Sequence, residues 1–350
     1  MIRAAVALAL ITGPQWDSNV GRVVDDDQAA GATGVVTLLR GSLKAKPFSG
    51  HQLDLAHDAG IKVHESRGDD VLTQLVRGSW TARAGPSWWL GVKGSLKDRR
   101  QEADVRSYLL GRAALEVGVA PTPGWTLTFG PLYERFVYRP EETEGQLDHD
   151  ALGAEVALTW RPAAGWHARL SGAAEAKAFE GDRLRETRGV DEPPEHPGLV
   201  LPWRDLNPVP GEARRDVVTT AAAGVGYTGD LLLSLDAWRQ EDSSNSAGAG
   251  FTRWGLRMRS GATLPGQVSA SLRATLQVLT DEEDPLFRLD PVRGVDDEET
   301  RSSVGLRLRR PLFGGLSIEA KAVGYFSLRD DEPEYRRWTL LGGLGYRVAM

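Results

Sequence analysis

The chain has 350 residues with a formal net charge of −6, and it contains 40 Gly, 19 Pro, 11 Trp and no Cys. The missing Cys excludes disulfides, thiolate metal sites and cysteine nucleophiles, and no apolar run approaches the roughly 18 residues of a membrane-spanning helix. A hydrophobic share of 41% is too high for a disordered chain, and the acidic balance leaves no basic footprint for nucleic acid.

In chain order, Met1–Leu10 reads MIRAAVALAL, in which Arg3 precedes a short apolar run to Ile11. That pattern predicts a signal peptide over residues 1–13 and a mature chain from Pro14, although no A-x-A cleavage site is present. Period-two alternation dominates the rest of the chain. Leu152–Trp160 and Trp166–Ala178 alternate, with many Ala on the apolar phase. Trp254, Leu256 and Met258 interleave with Arg253, Arg257 and Arg259, and Val304, Leu306 and Leu308 interleave with Ser303, Arg307 and Arg309. In Gln267–Val278 the phases separate fully: Val268, Ala270, Leu272, Ala274, Leu276 and Val278 against Gln267, Ser269, Ser271, Arg273, Thr275 and Gln277. Leu316–Leu328 and Trp338–Met350 repeat the pattern. Successive side chains of a strand point to opposite faces, so each segment predicts a strand with one apolar and one wet face. The segments run about 9 to 13 residues, the length of transmembrane strands rather than the roughly 5 or 6 of soluble sheets.

The connections define a topology. Short turns rich in Pro and Gly recur at 46–50, 85–87, 121–124, 161–165, 228–230, 264–266 and 311–315. Longer polar connections alternate with them at 25–31, 65–70, 98–104, 141–148, 181–214, 241–248, 281–300 and 330–334. The prediction is an all-β fold: a transmembrane antiparallel up-and-down β-barrel of about 16 strands, with residues 14–350 as one domain. Both termini then lie at the short-turn, periplasmic side. The long loop 181–214 holds Pro193, Pro194, Pro197, Pro202, Pro208, Pro210 and Trp203, and either folds into the barrel or caps it.

Two segments carry resemblances. Gly343-Leu-Gly-Tyr346-Arg-Val348 resembles the closing-strand signal read by the bacterial barrel-assembly machinery, with Met350 where Phe or Trp is usual. Trp16-Asp17-Ser18-Asn19-Val20 resembles the segment that begins barrels of the surface-lipoprotein assembly modifier type. Those relatives carry a helical repeat domain before the barrel, and the present sequence shows none. The resemblance implies a bacterial outer-membrane barrel of porin-like build in a Gram-negative cell.

If the apolar phase meets lipid, the polar phase lines a lumen. The predicted lumen-lining residues are Arg40, Arg77, Arg83, Lys93, Arg112, Arg169, Lys177, Arg253, Arg257, Arg259, Arg273, Arg307, Arg309, Lys321 and Arg347, with fewer acidic ones: Asp17, Asp54, Asp58, Glu116, Glu155, Glu175, Asp236 and Glu319. Trp80, Trp88, Trp125, Trp160, Trp166 and Tyr227 sit beside short turns as an interfacial aromatic girdle, together with Trp89. Acidic runs fall in the long connections at 25–27, 281–284, 296–299 and 330–332, without EF-hand spacing, so no metal site is assigned. The six His form no set with a nucleophile, and no G-x-S-x-G, H-E-x-x-H or P-loop motif occurs. Neither catalytic residues nor a cofactor is therefore expected, and the chain is not read as an enzyme. The expected function is an outer-membrane channel for passive diffusion of small solutes, with anion preference from the basic lumen. The alternatives are a barrel that exports or presents a protein partner, and a structural or surface-enzyme barrel. Expected partners are outer-membrane lipid, the assembly machinery and small solutes, with self-association into a homo-oligomer left open and nucleic acid excluded.

Overall fold

A computed structural model describes residues 3–18, 31–65, 70–101, 107–139, 147–187, 205–246, 250–280, 301–328 and 336–349. Sixteen strands form one closed antiparallel barrel in which each pairs with its sequence neighbours and the first pairs with the last. They are β1 Arg3–Asp17, β2 Ala32–Lys46, β3 His51–His64, β4 Val71–Arg83, β5 Trp88–Gln101, β6 Tyr108–Val119, β7 Trp125–Tyr138 and β8 His149–Trp160. The second half comprises β9 Trp166–Thr187, β10 Asp205–Thr228, β11 Leu231–Ser244, β12 Phe251–Leu264, β13 Val268–Thr280, β14 Ser302–Pro311, β15 Leu316–Phe326 and β16 Arg336–Ala349. Closure pairs the first strand with the last, so the barrel body has no free sheet edge, and only the β9–β10 extension projects past its neighbours' ladders.

The seven short connections all lie at one end and the eight long ones at the other, as the alternation of turn signals predicts. Glycine chemistry explains why the short ones can be tight. Gly124 and Gly165 take positive φ of 85° and 80° at the last loop position. A Cβ at either would lie 2.8 Å from the Arg161 carbonyl oxygen or 2.7 Å from that of Thr228, so both the backbone angle and the space require Gly.

Two segments read from sequence as non-strand lie in strands. Residues 3–13, the segment read as a signal peptide, form the body of β1, paired to β2 along its whole length and to β16 from Ala7. Ala5, Ala7 and Ala9 occupy its inner phase opposite Lys44, Ser42 and Arg40. Small apolar residues inside and larger ones outside make an alternating strand read as one continuous apolar run. The expected loop 181–214 is also shorter. β9 and β10 extend their ladder to Thr187 and Asp205, with register shifts between Pro208 and Ala213 and between Ala213 and Arg215. Prolines are tolerated at such irregularities because no ladder donor is lost there. Trp203, Pro193, Pro194, Pro197 and Pro202 lie outside the described residues, as do the four acidic runs apart from their flanks.

The seam between the ends of the chain is clasped by side chains. Asp17 and Arg337 form a buried two-pronged pair, Nε to Oδ1 at 2.9 Å and Nη2 to Oδ2 at 2.5 Å. Beside it the Ser18 amide donates to the Trp338 carbonyl at 2.9 Å, and the Trp338 amide donates to Ser18 Oγ at 2.8 Å. Three residues of the W-D-S-N-V segment thus have a structural role at barrel closure: Trp16 points outward, and Asp17 and Ser18 tie β1 to β16.

Candidate functional site: the inner wall of the barrel

Apart from the β9–β10 extension, the register runs unbroken around the wall. Arg40 faces Asp58, Ala56 faces Arg77, Ser79 faces Lys93, Arg112 faces Glu134, Ala151 faces Lys177, Arg169 faces Gly224, Asp236 faces Arg257, Arg259 faces Arg273, Arg307 faces Lys321 and Arg347 faces Ala9. Directly paired residues share a face. All fifteen basic residues singled out from sequence, including Arg83, Arg253 and Arg309, therefore fall on one face. That face is the concave one. The Arg112 guanidinium on β6 reaches Glu175 on β9 at 3.3 Å across two intervening strands. Side chains converge only on the inside of a cylinder. Gly153 on β8 leaves room for this reach, because a Cβ there would lie 2.8 Å from Glu175 Cγ.

The opposite face is apolar and bounded at both ends. Leu90, Val92, Leu96, Phe129, Leu152, Val156, Leu170, Leu235 and Leu344 are all exposed there. Trp80, Trp88, Trp125, Trp160, Trp166 and Tyr227 share this outward phase next to the short turns. Trp125 stacks on Trp160 at 5.6 Å, and Trp166 meets Tyr227 at 5.2 Å. Toward the long loops the same face turns charged: Arg135 pairs with Asp150 at 3.0 Å and Glu180 at 2.5 Å, and Asp98 pairs with Arg100 and Arg139 at 3.1 Å. Ten residues separate Trp88 from Asp98, Trp125 from Arg135 and Asp150 from Trp160. At about 3.3 Å per residue and a tilt of about 40°, that is a band about 25 Å tall, the height of a barrel's lipid-facing belt. Trp89, expected in the girdle, points inward instead and lies over Gly118, where a Cβ would approach its ring to 2.0 Å. Adjacent residues of one strand cannot share a face, and Trp88 already takes the outer one.

Exposure along the inner wall varies. At mid-strand the wall is wet: the Arg77 and Lys93 side chains are 53% and 51% exposed. Toward the long loops it is dry, with Lys97, Arg99 and Tyr108 each 1% exposed. There an aromatic stack crosses β6 to β9, from Tyr108 to Phe136 at 5.5 Å, Phe136 to His149 at 5.3 Å and His149 to Phe179 at 4.6 Å. Lys97 caps one end over Tyr108 at 5.7 Å, and Arg214 caps the other over Phe179 at 4.2 Å. Such contacts let cations be buried beside rings without losing all electrostatic compensation. On β11 Trp238 also faces inward, flat on Gly255 and stacked by Arg257 at 5.0 Å. Sequence reading missed Lys97, Arg99, Arg214, Glu134, Asp216 and Trp238, although strand parity places each in phase with inner residues it found.

The inner charges are partly paired. Asp58 binds Arg77 and lies 3.8 Å from Arg40. Lys93 pairs with Glu116, Arg112 with Glu134 at 3.1 Å, and Arg307 with Glu319 at 2.7 Å. Basic residues still outnumber acidic ones on this face. Arg259 and Arg273 are direct cross-strand neighbours, an arrangement that destabilises a sheet and attracts anions. Among the described residues no group of three or more His, Asp or Glu could hold a metal ion.

No protein-family model matches the chain, and no curated protein is similar in sequence. Similar solved structures are barrels. The chain matches the anion-selective porin from Comamonas acidovorans with a TM-score of 0.50 and 10% identity, over 99% of this chain and 100% of that one. It also matches Salmonella typhi OmpF in complex with daunomycin with a TM-score of 0.47 and 9% identity, over 99% and 97%. At these identities the likeness is one of fold: a closed sixteen-stranded antiparallel barrel of the porin type.

Proposed function

We propose that this chain is an outer-membrane channel through which small solutes diffuse passively, with a preference for anions. One observation carries the reading: the strand register turns fifteen Arg and Lys to the concave face and an apolar band about 25 Å tall to the convex one. Facing lipid near mid-depth, each of those cations would cost about 2–4 kcal/mol. Facing a water-filled interior, they set its potential. Sixteen strands enclose a lumen of porin width. The dry inner wall toward the long loops, with Lys97, Arg99 and Tyr108 buried, supports a passage that narrows there. The reading is non-enzymatic, with the described inner charges engaged in salt bridges and ring stacks.

Liposome swelling tests the reading. Vesicles containing the purified barrel should admit small sugars and small organic anions faster than empty vesicles, with a size cutoff. Vesicles that behave like empty ones toward every small solute would contradict it.

A further inference from the structure

The wet part of the inner wall contains a cavity of about 540 Å³ between β13 and β4, and we infer that it is a saturable binding site for a small organic anion bearing two or more oxyanion groups, a di- or tricarboxylate in class. The inference deepens the channel reading and rests on it for the route by which the anion arrives.

Five guanidiniums border the cavity: Arg40, Arg77, Arg307, Arg309 and Arg347. Two carboxylates neutralise only part of that charge, Asp58 shared by Arg40 and Arg77, and Glu319 on Arg307. These bonds hold Arg40, Arg77 and Arg307 in place, Glu319 being 3% exposed, and Arg309 Nε donates to Ser317 Oγ at 3.2 Å. Fixed guanidinium forks match the geometry of carboxylate oxygens and lose little freedom on binding.

The floor explains why the ligand is organic. It consists of Ala7, Ala9, Ile11 and Ala56, with the hydroxyls of Ser42 and Ser271 at the sides. Ala9 lies between Arg347 and Arg40 in the register, so its small side chain opens a gap flanked by cations. Apolar floor and hydroxyl sides suit a carbon skeleton with polar substituents, and the volume far exceeds that of a bare halide. Across the barrel, the inner face of β6 to β9 has Glu116, Glu134, Glu155 and Glu175 against Arg112, Arg169 and Lys177, so the excess of arginine over carboxylate on β2, β4, β14 and β16 is the feature that favours an anion here.

Citrate is the test probe. Full-length barrel in planar bilayers in KCl should show a chloride current that falls hyperbolically as citrate is added. Calorimetric titration of citrate into detergent-solubilised barrel should show saturable binding of the same affinity. Arg309→Ser and Arg347→Ser should each weaken both readings by roughly tenfold, the loss of one charge-assisted contact. Arg310→Ser, which removes the same charge from the outward phase one residue away, should leave both unchanged. Heat-modifiable gel mobility reports whether each variant has folded. An anion-preferring channel whose current and calorimetry do not respond saturably to citrate would overturn the site while leaving the channel reading intact. So would saturable binding that persists undiminished in folded Arg309→Ser and Arg347→Ser. A barrel that binds citrate through these arginines but conducts no ions would support the site and overturn the channel reading.

Discussion

Asp17 and Arg337 are separated by 320 residues and almost fully buried, so their pairing does for the barrel seam what no local contact can. Replacing one partner leaves a buried charge without its counter-ion, a loss of about 3–5 kcal/mol in soluble proteins. Asp17→Ala should lower the unfolding free energy from denaturant titration of the purified barrel by that order, with a lower midpoint, and Asp17→Asn by less because one hydrogen bond survives. An unchanged midpoint in Asp17→Ala would show that the ladder alone holds the seam. At this scale the sequence was informative about phase and silent about partners. Arg253, Arg257 and Arg259 announce a common face by parity alone. Their neighbours across the wall depend on register, which no single strand contains. Lys97 and Arg99 share the parity of Lys93, and Arg214 that of Asp216, but Arg99 and Arg214 sat in stretches read as connections.

At the scale of elements, β1 is the place where local pattern and fold diverge. An Ala-lined inner face erases the polar half of the alternation, so Ala4–Ile11 has the composition of a leader while its register is that of a barrel strand. The reason lies on neighbouring strands, where Arg40 and Arg347 use the space the alanines leave. A chain starting at Pro14 should therefore fail to refold to a heat-modifiable barrel, because β2 and β16 lose most of their shared partner. Refolding of that truncated chain with the mobility of the full chain would instead support the leader reading. The turns were legible because their chemistry is local: Gly124 and Gly165 close their hairpins within five residues. The β9–β10 extension was not, since Pro208 and Pro210 normally end strands and here sit at or beside an irregularity in the ladder.

For the molecule as a whole, the formal charge of −6 is a sum over two populations. The inner wall is rich in Arg and Lys, and the acidic runs at 25–27, 281–284, 296–299 and 330–332 lie in the long connections. Strand number, pairing and the separation of short from long connections were all legible in the sequence, because alternation recurs strand after strand and turn residues mark each of the seven short connections. The clustering of arginine on β2, β4, β14 and β16 around one cavity was not, since it depends on which strands lie side by side around the cylinder. The central claim is that the basic wall governs what passes. Its most direct test is the zero-current potential of single barrels in a planar bilayer under a KCl gradient. The account predicts discrete conductance steps and a potential displaced toward the chloride equilibrium value, with the displacement shrinking at high salt as screening grows. A potential displaced toward the potassium value, or the absence of any conductance, would contradict it.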